Sequence, residues 1–295
     1  MDWTRLSETI SQTLQKPFHI VNASELSGGD IHAAYRLHTS DGDYFLKLNQ
    51  LNCAPLLQTE ATSLKTILQT NSIHVPKVIA QGTLSGSPPQ AWLLLSYIAL
   101  SHKGDDAQRG KDLALLHHQI NPDRQFGWFE DNYIGRTPQP NTWHDNWVEF
   151  YGQQRLLPQL KLAAKNQAPK PLLADGVELI KQLPHFFQAY QPEASLLHGD
   201  LWAGNSGFTQ TGNPVFFDPA SYYGDRETDL AMTELFGGYG TEFYQGYQQV
   251  FPLNPGYEQR KTLYQLYHVL NHFNLYGKSY LHQAERMIQS LLNAC

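Results

Sequence analysis

The chain has 295 residues and a net charge of −6, with 41% hydrophobic, 12% aromatic and 16% charged residues. This composition excludes a disordered chain, and at roughly 150 residues per domain the length suggests two domains or one large one. The acidic balance argues against a nucleic-acid partner, because proteins that bind nucleic acid are usually basic. The sequence shows no paired cysteine spacing, apolar leader or membrane-length apolar stretch. We therefore expect a cytoplasmic protein without a membrane partner.

The first third of the chain predicts a small antiparallel sheet with one inserted helix. Leu6, Ile10 and Leu14 are spaced four residues apart, which favours a helix. The Asp41-Gly42 pair between two strand-like runs is typical of a hairpin. In chain order, the predicted elements are a helix at 4–15, strands at 18–21, 33–37 and 44–48, a helix at 56–70, and strands at 76–79 and 91–95.

The pattern becomes mostly helical beyond residue 98. Predicted helices cover 105–118, 145–164, 173–190, 226–236, 241–250 and, with interruptions, 257–292, while 195–197 and 214–217 are short apolar runs before turns. A β-rich part followed by a helical part is typical of an α+β fold. We expect one domain at 1–98 and a second at 99–295.

The sharpest feature of the sequence is the segment His198-Gly-Asp-Leu-Trp-Ala-Gly-Asn205. Asp200 lies five residues before Asn205, and Asp218 closes a second apolar run thirteen residues later. Phosphoryl transfer uses such a trio. One carboxylate orients the attacking hydroxyl and accepts its proton, while an amide oxygen and a second carboxylate hold Mg²⁺ on the nucleotide phosphates. Asp200 is therefore the candidate base, and Asn205 and Asp218 are the candidate metal ligands.

Each member of this trio alone would also fit an ordinary turn. Gly-Asp and Gly-Asn pairs form turns, and Pro219 biases Asp218 toward an extended strand end. The ordered trio is much more specific than its members, and we interpret it as phosphotransfer chemistry.

The β-rich part supplies groups that an ATP-dependent reaction also needs. Lys47 lies on the third strand and Glu60 on the next helix, and a strand lysine paired to such a glutamate would bind the α and β phosphates. A strand lysine can instead extend to solvent. The glycine turn after the first strand lies where a phosphate-covering loop belongs, and it also suits a plain hairpin. The linker after the last strand would offer backbone hydrogen bonds to adenine. The candidate ATP-binding residues are Gly28, Gly29, Asp30, Lys47, Glu60, Leu95, Ser96 and Tyr97.

Several aromatic and polar residues of the helical part are candidates for contact with the acceptor. Trp202 lies between the candidate base and a candidate metal ligand, which favours substrate contact, whereas core packing is favoured for Trp143 and Trp147. Asn271 and His272 could contact the acceptor or play a structural role. Three other residues near the motif are expected to have structural roles. His198 should fix the loop at 198–205 through hydrogen bonds, and Asp225 should cap the helix predicted at 226–236. Asp229 should cap the same helix or brace the loop.

These motifs resemble the signature of the fructosamine kinase family. The resemblance rests on segments 198–205, 218–224 and 235–238, and Trp202 is its most specific mark, because related aminoglycoside and choline kinases commonly carry histidine there. Further matching residues are Phe126-Gly-Trp128, Asn132, Ile134-Gly135, Asn141-Thr-Trp143, Trp147, Arg155-Leu156, Tyr264-Gln-Leu266 and Leu270-Asn-His272. The resemblance therefore covers nearly the whole chain.

The resemblance implies a bilobal, protein-kinase-like α+β fold, with a small antiparallel-sheet lobe containing one main helix and a larger, mostly helical lobe. It implies ATP- and Mg²⁺-dependent phosphorylation of ketosamines, free or protein-bound, at the sugar 3-hydroxyl. Ketosamines are Amadori-type adducts of sugars with amines. The phosphorylated product breaks down and frees the amine, which makes the activity a deglycation. Bacterial-type members tend to prefer ribulosamines and erythrulosamines.

The sequence differs from some members of the family at one position of the phosphate loop. Several eukaryotic members carry a phosphate-loop cysteine that supports redox-sensitive dimerisation, and Asp30 stands in its place here. We therefore expect a monomer or weak homodimer without that switch. Two other interpretations stay open: a kinase of the same fold acting on an aminoglycoside or choline, and a catalytically silent ATP-binding module.

Overall fold

The computed structural model describes residues 1–27 and 31–294 and divides the chain into two compact units. The first unit comprises Met1–Gly104 and Gly207–Asp218, and the second comprises Asp105–Ser206 and Pro219–Cys295. The first unit therefore contains a segment that is distant in sequence, and this segment ends at Asp218.

The first unit is built on a five-stranded antiparallel sheet in the order β1-β2-β3-β5-β4. Its elements are α1 (Trp3–Leu14), β1 (Ile20–Leu26), β2 (Ala33–Thr39), β3 (Gly42–Gln50), α2 (Ala54–Thr70), β4 (Val78–Leu84) and β5 (Gln90–Ser96). The central strand β3 pairs Lys47 with Ala34 of β2 and with Leu93 of β5.

Helix α1 covers one face of this sheet. The Asp2 side chain accepts a hydrogen bond from the Arg5 N–H (3.0 Å) and so caps the first turn. Leu6 and Ile10 are fully buried in a cluster with the sheet residues Leu46 and Leu48. Side chains alternate between the two faces of a strand, so the residue between these two leucines, at position 47, points to the opposite face.

A second sheet, of three strands, lies close in sequence to the end of the first unit. It has the order β11-β10-β6 and consists of β6 (Leu100–Ser101), β10 (Ser206–Thr209) and β11 (Pro214–Phe216). The Phe216 N–H donates to the His74 carbonyl (2.9 Å), which ties β11 to the loop that precedes β4. Asp218 follows two residues after β11.

The second unit is mostly helical. Its helices are α3 (Asp106–His117), α4 (Trp147–Phe150), α5 (Leu157–Lys165), α6 (Lys170–Gln182), α7 (Glu227–Leu235), α8 (Thr241–Val250), α9 (Tyr257–Tyr276) and α10 (Leu281–Leu292). A π-helical segment, Tyr151–Leu156, joins α4 to α5, and short 3₁₀ turns lie at Leu183–Phe187, Ala203–Asn205 and Lys278–Tyr280. Helix α3 packs on α8, and α9 packs on α5, α7 and α10.

Two small β-pairs complete the second unit. Strands β7 (Asn132–Ile134) and β8 (Thr137–Gln139) form a hairpin, and β9 (Ser195–Leu196) pairs with β12 (Tyr223–Gly224). The β9–β12 pair brings the stretch before the loop at 198–205 next to the stretch after Asp218. Within the part of the chain that the structure describes, no helix is long and apolar enough to cross a membrane.

One buried histidine of α9 predicts a pH dependence of stability. Burial, together with the neighbouring His272, lowers the pKa of His268 to about 3. An unfolded histidine has a pKa of about 6.5, so protons bind the unfolded chain preferentially as the pH falls from 6.5 toward 3. The stability that the neutral His268 contributes is therefore fully present above the unfolded pKa and is lost as the pH falls below it. Between pH 7.5 and 5.5, His268 should lower the free energy of unfolding by about 1.4 kcal/mol.

Chemical denaturation of the wild type and of His268→Gln at these two pH values measures this contribution. The variant should lack about 1.4 kcal/mol of the wild-type decline. Equal declines in the two proteins would show that the pKa of His268 is not lowered in the native state.

Candidate active site

In the first unit, Lys47 joins two carboxylates. Its ammonium group lies 2.7 and 2.8 Å from the two oxygens of Glu60 on α2 and 2.7 Å from Oδ1 of Asp218. The side chains of Lys47 and Glu60 are only 7% and 10% exposed, whereas that of Asp218 is 46% exposed. The predicted strand–helix pair therefore forms, and the alternative of a strand lysine extended to solvent is wrong.

The electrostatics of this group follow from burial and charge. Burial alone would lower the pKa of Lys47, but the negative charges of Asp218 and Glu60 outweigh it and raise the pKa, so the lysine stays charged. Burial, and then the nearby charge of Asp218, raises the pKa of Glu60 above its usual range, against the opposing effect of Lys47. A cation is thus held firmly next to the exposed carboxylate of Asp218.

The other predicted ATP-binding residues differ in their surroundings. Leu95 is buried, and the Ser96 N–H donates to the Lys77 carbonyl (2.8 Å). The expectation that the linker at 95–97 offers backbone hydrogen bonds to adenine stays a prediction. Tyr97 is half-buried, and its ring packs under the Arg36 guanidinium at 4.4 Å. The predicted phosphate-loop residues Gly28, Gly29 and Asp30 lie outside the described residues.

In the second unit, the loop at 198–205 holds Asp200 beside Asn205. The amide nitrogen of Asn205 donates to the Asp200 carbonyl (2.8 Å) and lies 3.3 Å from Oδ2 of the Asp200 side chain. Asp200 is half-buried and Asn205 is buried. Because the amide nitrogen of Asn205 is committed to Asp200, its amide oxygen is the atom left to act as a metal ligand.

Asp229 on α7 braces the start of the loop at 198–205. Its carboxylate accepts the backbone N–H groups of His198 (2.7 Å) and Gly199 (2.8 Å). Burial alone would raise the pKa of Asp229, but the hydrogen bond from His117 (3.1 Å) and the Gly199 N–H hold it below its usual range. His198 Nδ1 in turn lies 3.3 Å from the Asp200 N–H. The structure thus supports the bracing role for Asp229 and the loop-fixing role for His198.

Gly199 lies where a side chain does not fit. Its φ is +87°, and a Cβ atom would lie 2.1 Å from the Ala220 carbonyl oxygen. Gly199→Ala should therefore lower the free energy of unfolding by more than about 2 kcal/mol and should also lower turnover.

The matched control for this variant is Gly212→Ala. Gly212 has a similar φ of +84°, but its Cβ would meet its nearest atom only at 3.6 Å. The control should cost only the left-handed backbone term of about 1 kcal/mol. Denaturation of both variants measures the difference, and equal losses would contradict the steric argument.

The predicted acceptor residues lie in different environments. Trp202 is 42% exposed, so its ring is accessible. Asn271 is buried and accepts a hydrogen bond from Gln159 (3.3 Å), whereas His272 is half-buried among the rings of α9 and its neighbours. The expectation of core packing holds for Trp147, which is 3% exposed, but is wrong for Trp143, which is 36% exposed.

The candidate metal ligands Asn205 and Asp218 have the kind of donor atoms that Mg²⁺, the ion implied by phosphoryl transfer, prefers. Magnesium prefers oxygen ligands and keeps several waters, so it needs few protein ligands with accessible oxygens. In the first unit, the exposed carboxylate of Asp218 offers such an oxygen, and in the second unit the hydrogen bonds of the Asn205 amide nitrogen leave its amide oxygen as the remaining acceptor. Asp218 also has a φ of +58°, a left-handed conformation that is uncommon for a residue other than glycine and is often retained at functional positions.

Asp225 has a larger structural role than the sequence indicated. It accepts the Glu227 N–H at the start of α7 (3.0 Å), as expected of a cap, but it is fully buried. Its carboxylate also binds the hydroxyls of Tyr190 (2.8 Å) and Tyr264. Nothing in the spacing of these tyrosines in the sequence indicated that they converge on one carboxylate.

Comparison with known proteins gives a match over the whole chain. Residues 2–294 match the sequence profile of the family described as fructosamine kinase. A "Probable ketoamine kinase" from Synechocystis is 44% identical over 292 residues, covering 98% of this chain and 97% of the relative. A chloroplastic protein-ribulosamine 3-kinase from Oryza sativa subsp. indica is 37% identical over 278 residues, covering 94% of this chain and 80% of the relative.

Solved structures show the same fold. A Haemophilus somnus crystal structure with the provisional name fructosamine-3-kinase has a TM-score of 0.86 at 28% identity and covers 98% of this chain and 97% of that one. An aminoglycoside phosphotransferase in ternary complex with ADP and hygromycin B has a TM-score of 0.64 at 14% identity, covering 98% of both chains, which shows the fold alone. The predicted α+β, protein-kinase-like fold is thus confirmed, and the chain belongs to the fructosamine kinase family.

Proposed function

We propose that this protein is an ATP- and Mg²⁺-dependent ketosamine 3-kinase that acts in deglycation. The observation that carries the acceptor class is similarity along nearly the full chain to proteins named ketoamine kinase and protein-ribulosamine 3-kinase. The family match over residues 2–294 and the ADP complex of a structural neighbour support ATP as the phosphoryl donor.

The roles of the site residues follow from their chemistry. Asp200 orients the sugar 3-hydroxyl and accepts its proton as the hydroxyl attacks the γ-phosphate in line. The Asn205 amide holds the Asp200 carboxylate at 3.3 Å and so restricts its orientation. The carboxylate accepts the proton during phosphoryl transfer, and this makes the hydroxyl oxygen a better nucleophile in that step.

Charge on the phosphates is offset by a lysine and a metal site. Lys47, kept charged by Glu60, contacts the α and β phosphates. Asn205 and Asp218 would hold Mg²⁺, which when bound supplies positive charge to the phosphate oxygens. We assign nucleotide binding to residues 1–98 and the acceptor chemistry to residues 99–295, with the exposed ring of Trp202 against the sugar.

An acceptor panel tests this function. ATP consumption is measured with ribulose-lysine, fructose-lysine, kanamycin and choline, each with and without Mg²⁺. We expect Mg²⁺-dependent turnover with the ketosamines, ribulose-lysine first, and background rates with the other two. Turnover of kanamycin or choline alone would assign a different acceptor, and ATP binding without turnover of any acceptor would indicate a silent module.

A further inference from the structure

A buried polar cluster in the second unit lies outside the residues assigned above. It consists of Asn132 and Gln139 from the β7–β8 hairpin, Asn141 just after it, Arg155 from the π-helical segment and Tyr267 from α9. We call these five residues the amide cluster. Each is at most 4% exposed, although all five carry polar side chains. Polar groups are costly to bury, so each such group calls for a partner.

The members of the amide cluster bond to one another in one consistent direction. Asn132 Oδ1 accepts from Gln139 Nε2 (2.8 Å) and from Asn141 Nδ2 (2.9 Å). Arg155 donates to Asn141 Oδ1 (2.7 Å), and the Tyr267 hydroxyl donates to Gln139 Oε1 (2.7 Å). Rotating any one amide by half a turn would set donors against donors or acceptors against acceptors, so every amide orientation is determined.

Two amide donors and the guanidinium of the amide cluster hold one short stretch of chain, residues 220–222. The first carbonyl of this stretch accepts from Gln139 Nε2 (3.2 Å), and the second accepts from Asn132 Nδ2 (2.9 Å). The guanidinium of Arg155 lies 3.9 Å from the centre of its tyrosine ring. Three consecutive residues are therefore each held by a different member of the cluster.

The same stretch pairs with the loop that carries Asp200. The Ala220 N–H donates to the His198 carbonyl (2.9 Å), and the Leu197 N–H donates to the Tyr222 carbonyl (3.0 Å). Gly199 packs so closely on the Ala220 carbonyl that a Cβ would not fit. Contacts therefore run without a gap from the amide cluster through 220–222 to the backbone directly before Asp200.

Stability alone does not account for Arg155. Its side chain is fully buried, and among the described residues no carboxylate lies within ion-pair distance of it. Its terminal nitrogens donate to the carbonyl oxygens of Pro140 and Gln154 and to the amide oxygen of Asn141. A buried cation without a counter-ion is expensive, and an apolar side chain of the same volume would be cheaper to bury. The benefit of Arg155 is that it fixes the geometry of the groups around it.

We propose that the amide cluster positions the catalytic loop, with Asn132, Gln139 and Arg155 as positioning residues that set Asp200 for proton acceptance. This inference rests on the proposed function for the identity of the reaction, but the restraint on the loop can be measured without any substrate. Misplacing a reacting group by about 1 Å can cost on the order of 10²-fold in rate, so even a small relaxation of the loop should be visible in kcat.

Two near-isosteric variants test the proposal. Asn132→Leu removes the donor to the Ser221 carbonyl, and Gln139→Met removes the donor to the Ala220 carbonyl. The control is Ile288→Ala on α10, a buried apolar site outside the cluster that lowers stability without touching residues 220–222. For each protein we would measure the melting temperature, ATP affinity, kcat with ribulose-lysine, and hydrogen exchange of peptides that cover 197–200 and 219–222.

We expect about tenfold faster exchange in those two peptides in both cluster variants, relative to Ile288→Ala at equal stability. We also expect a loss of about 10²-fold in kcat with ATP affinity within about twofold of the wild type. Unchanged exchange, or faster exchange with wild-type kcat, would overturn the proposal. If one variant does not fold, the other decides. An inactive wild type would refute the ketosamine function, and the exchange data would still decide whether the cluster restrains the loop.

Discussion

Replacing Asp200 by asparagine should lower kcat for ketosamine phosphorylation by about 10²–10⁴-fold, the range that a general base contributes. Asparagine keeps the shape of the side chain but cannot accept the proton of the sugar hydroxyl. The loop should keep its conformation, because the Asp229 carboxylate binds the backbone N–H groups of His198 and Gly199 and does not depend on the side chain at 200. ATP affinity should therefore stay within about twofold of the wild-type value.

Steady-state kinetics and ATP titration of Asp200→Asn check this expectation. The matched control is Asp123→Asn, which makes the same chemical change at an exposed position of the same unit and should leave kcat unchanged. A kcat for Asp200→Asn within about tenfold of the wild type would remove Asp200 from the role of base, since that is less than the smallest contribution expected of one.

Lys47→Met should be the second most damaging change, and it should affect both activity and stability. The variant loses the charge that we assign to phosphate binding, which should lower kcat/KM by about 10²–10³-fold. It also leaves the buried Glu60 without its cation, and breaking a buried pair from one side costs about 3–5 kcal/mol. The Asp218 carboxylate is nearly half exposed, so water can compensate it.

The double variant Lys47→Met, Glu60→Gln separates the two effects. Removing the charge of Glu60 as well should restore most of the lost stability, because no uncompensated buried charge remains. Activity should stay low if Lys47 binds the phosphates as proposed, because the double variant still lacks this lysine. Denaturation and kinetics on the wild type, both single variants and the double variant give the complete cycle. Recovery of wild-type kcat/KM in the double variant would show that Lys47 serves only the fold.

The sequence predicted the first unit well because its signals are local. The spacing of Leu6 and Ile10 led to a helix over 4–15, and the structure places α1 at Trp3–Leu14. The Asp41-Gly42 pair led to a hairpin, and β2 and β3 are joined there. The pairing of Lys47 with Glu60 was also predicted, but from the phosphotransfer chemistry that the ordered trio indicated.

The sequence failed where long-range packing decides the structure. Residues 145–164 have a continuous helical pattern, but the chain forms a π-helical segment at Tyr151–Leu156 between α4 and α5. The amides of Asn132 and Gln139 look like ordinary loop residues, because the carbonyls that they bind lie more than 80 residues away. Asn132 and Arg155 did appear among the residues of the family resemblance, but nothing in the sequence indicated what they contact.

The identity of the product tests the central claim most directly. Wild-type protein is incubated with ATP, Mg²⁺ and ribulose-lysine, and the product is followed by phosphorus–proton correlation NMR while free lysine is quantified. We predict that a phosphate coupled to the proton on carbon 3 of the sugar appears first, that free lysine then accumulates as this signal decays, and that neither occurs with Asp200→Asn. A phosphate on another hydroxyl, or ATP hydrolysis with an unmodified sugar, would contradict the assignment of this protein as a ketosamine 3-kinase.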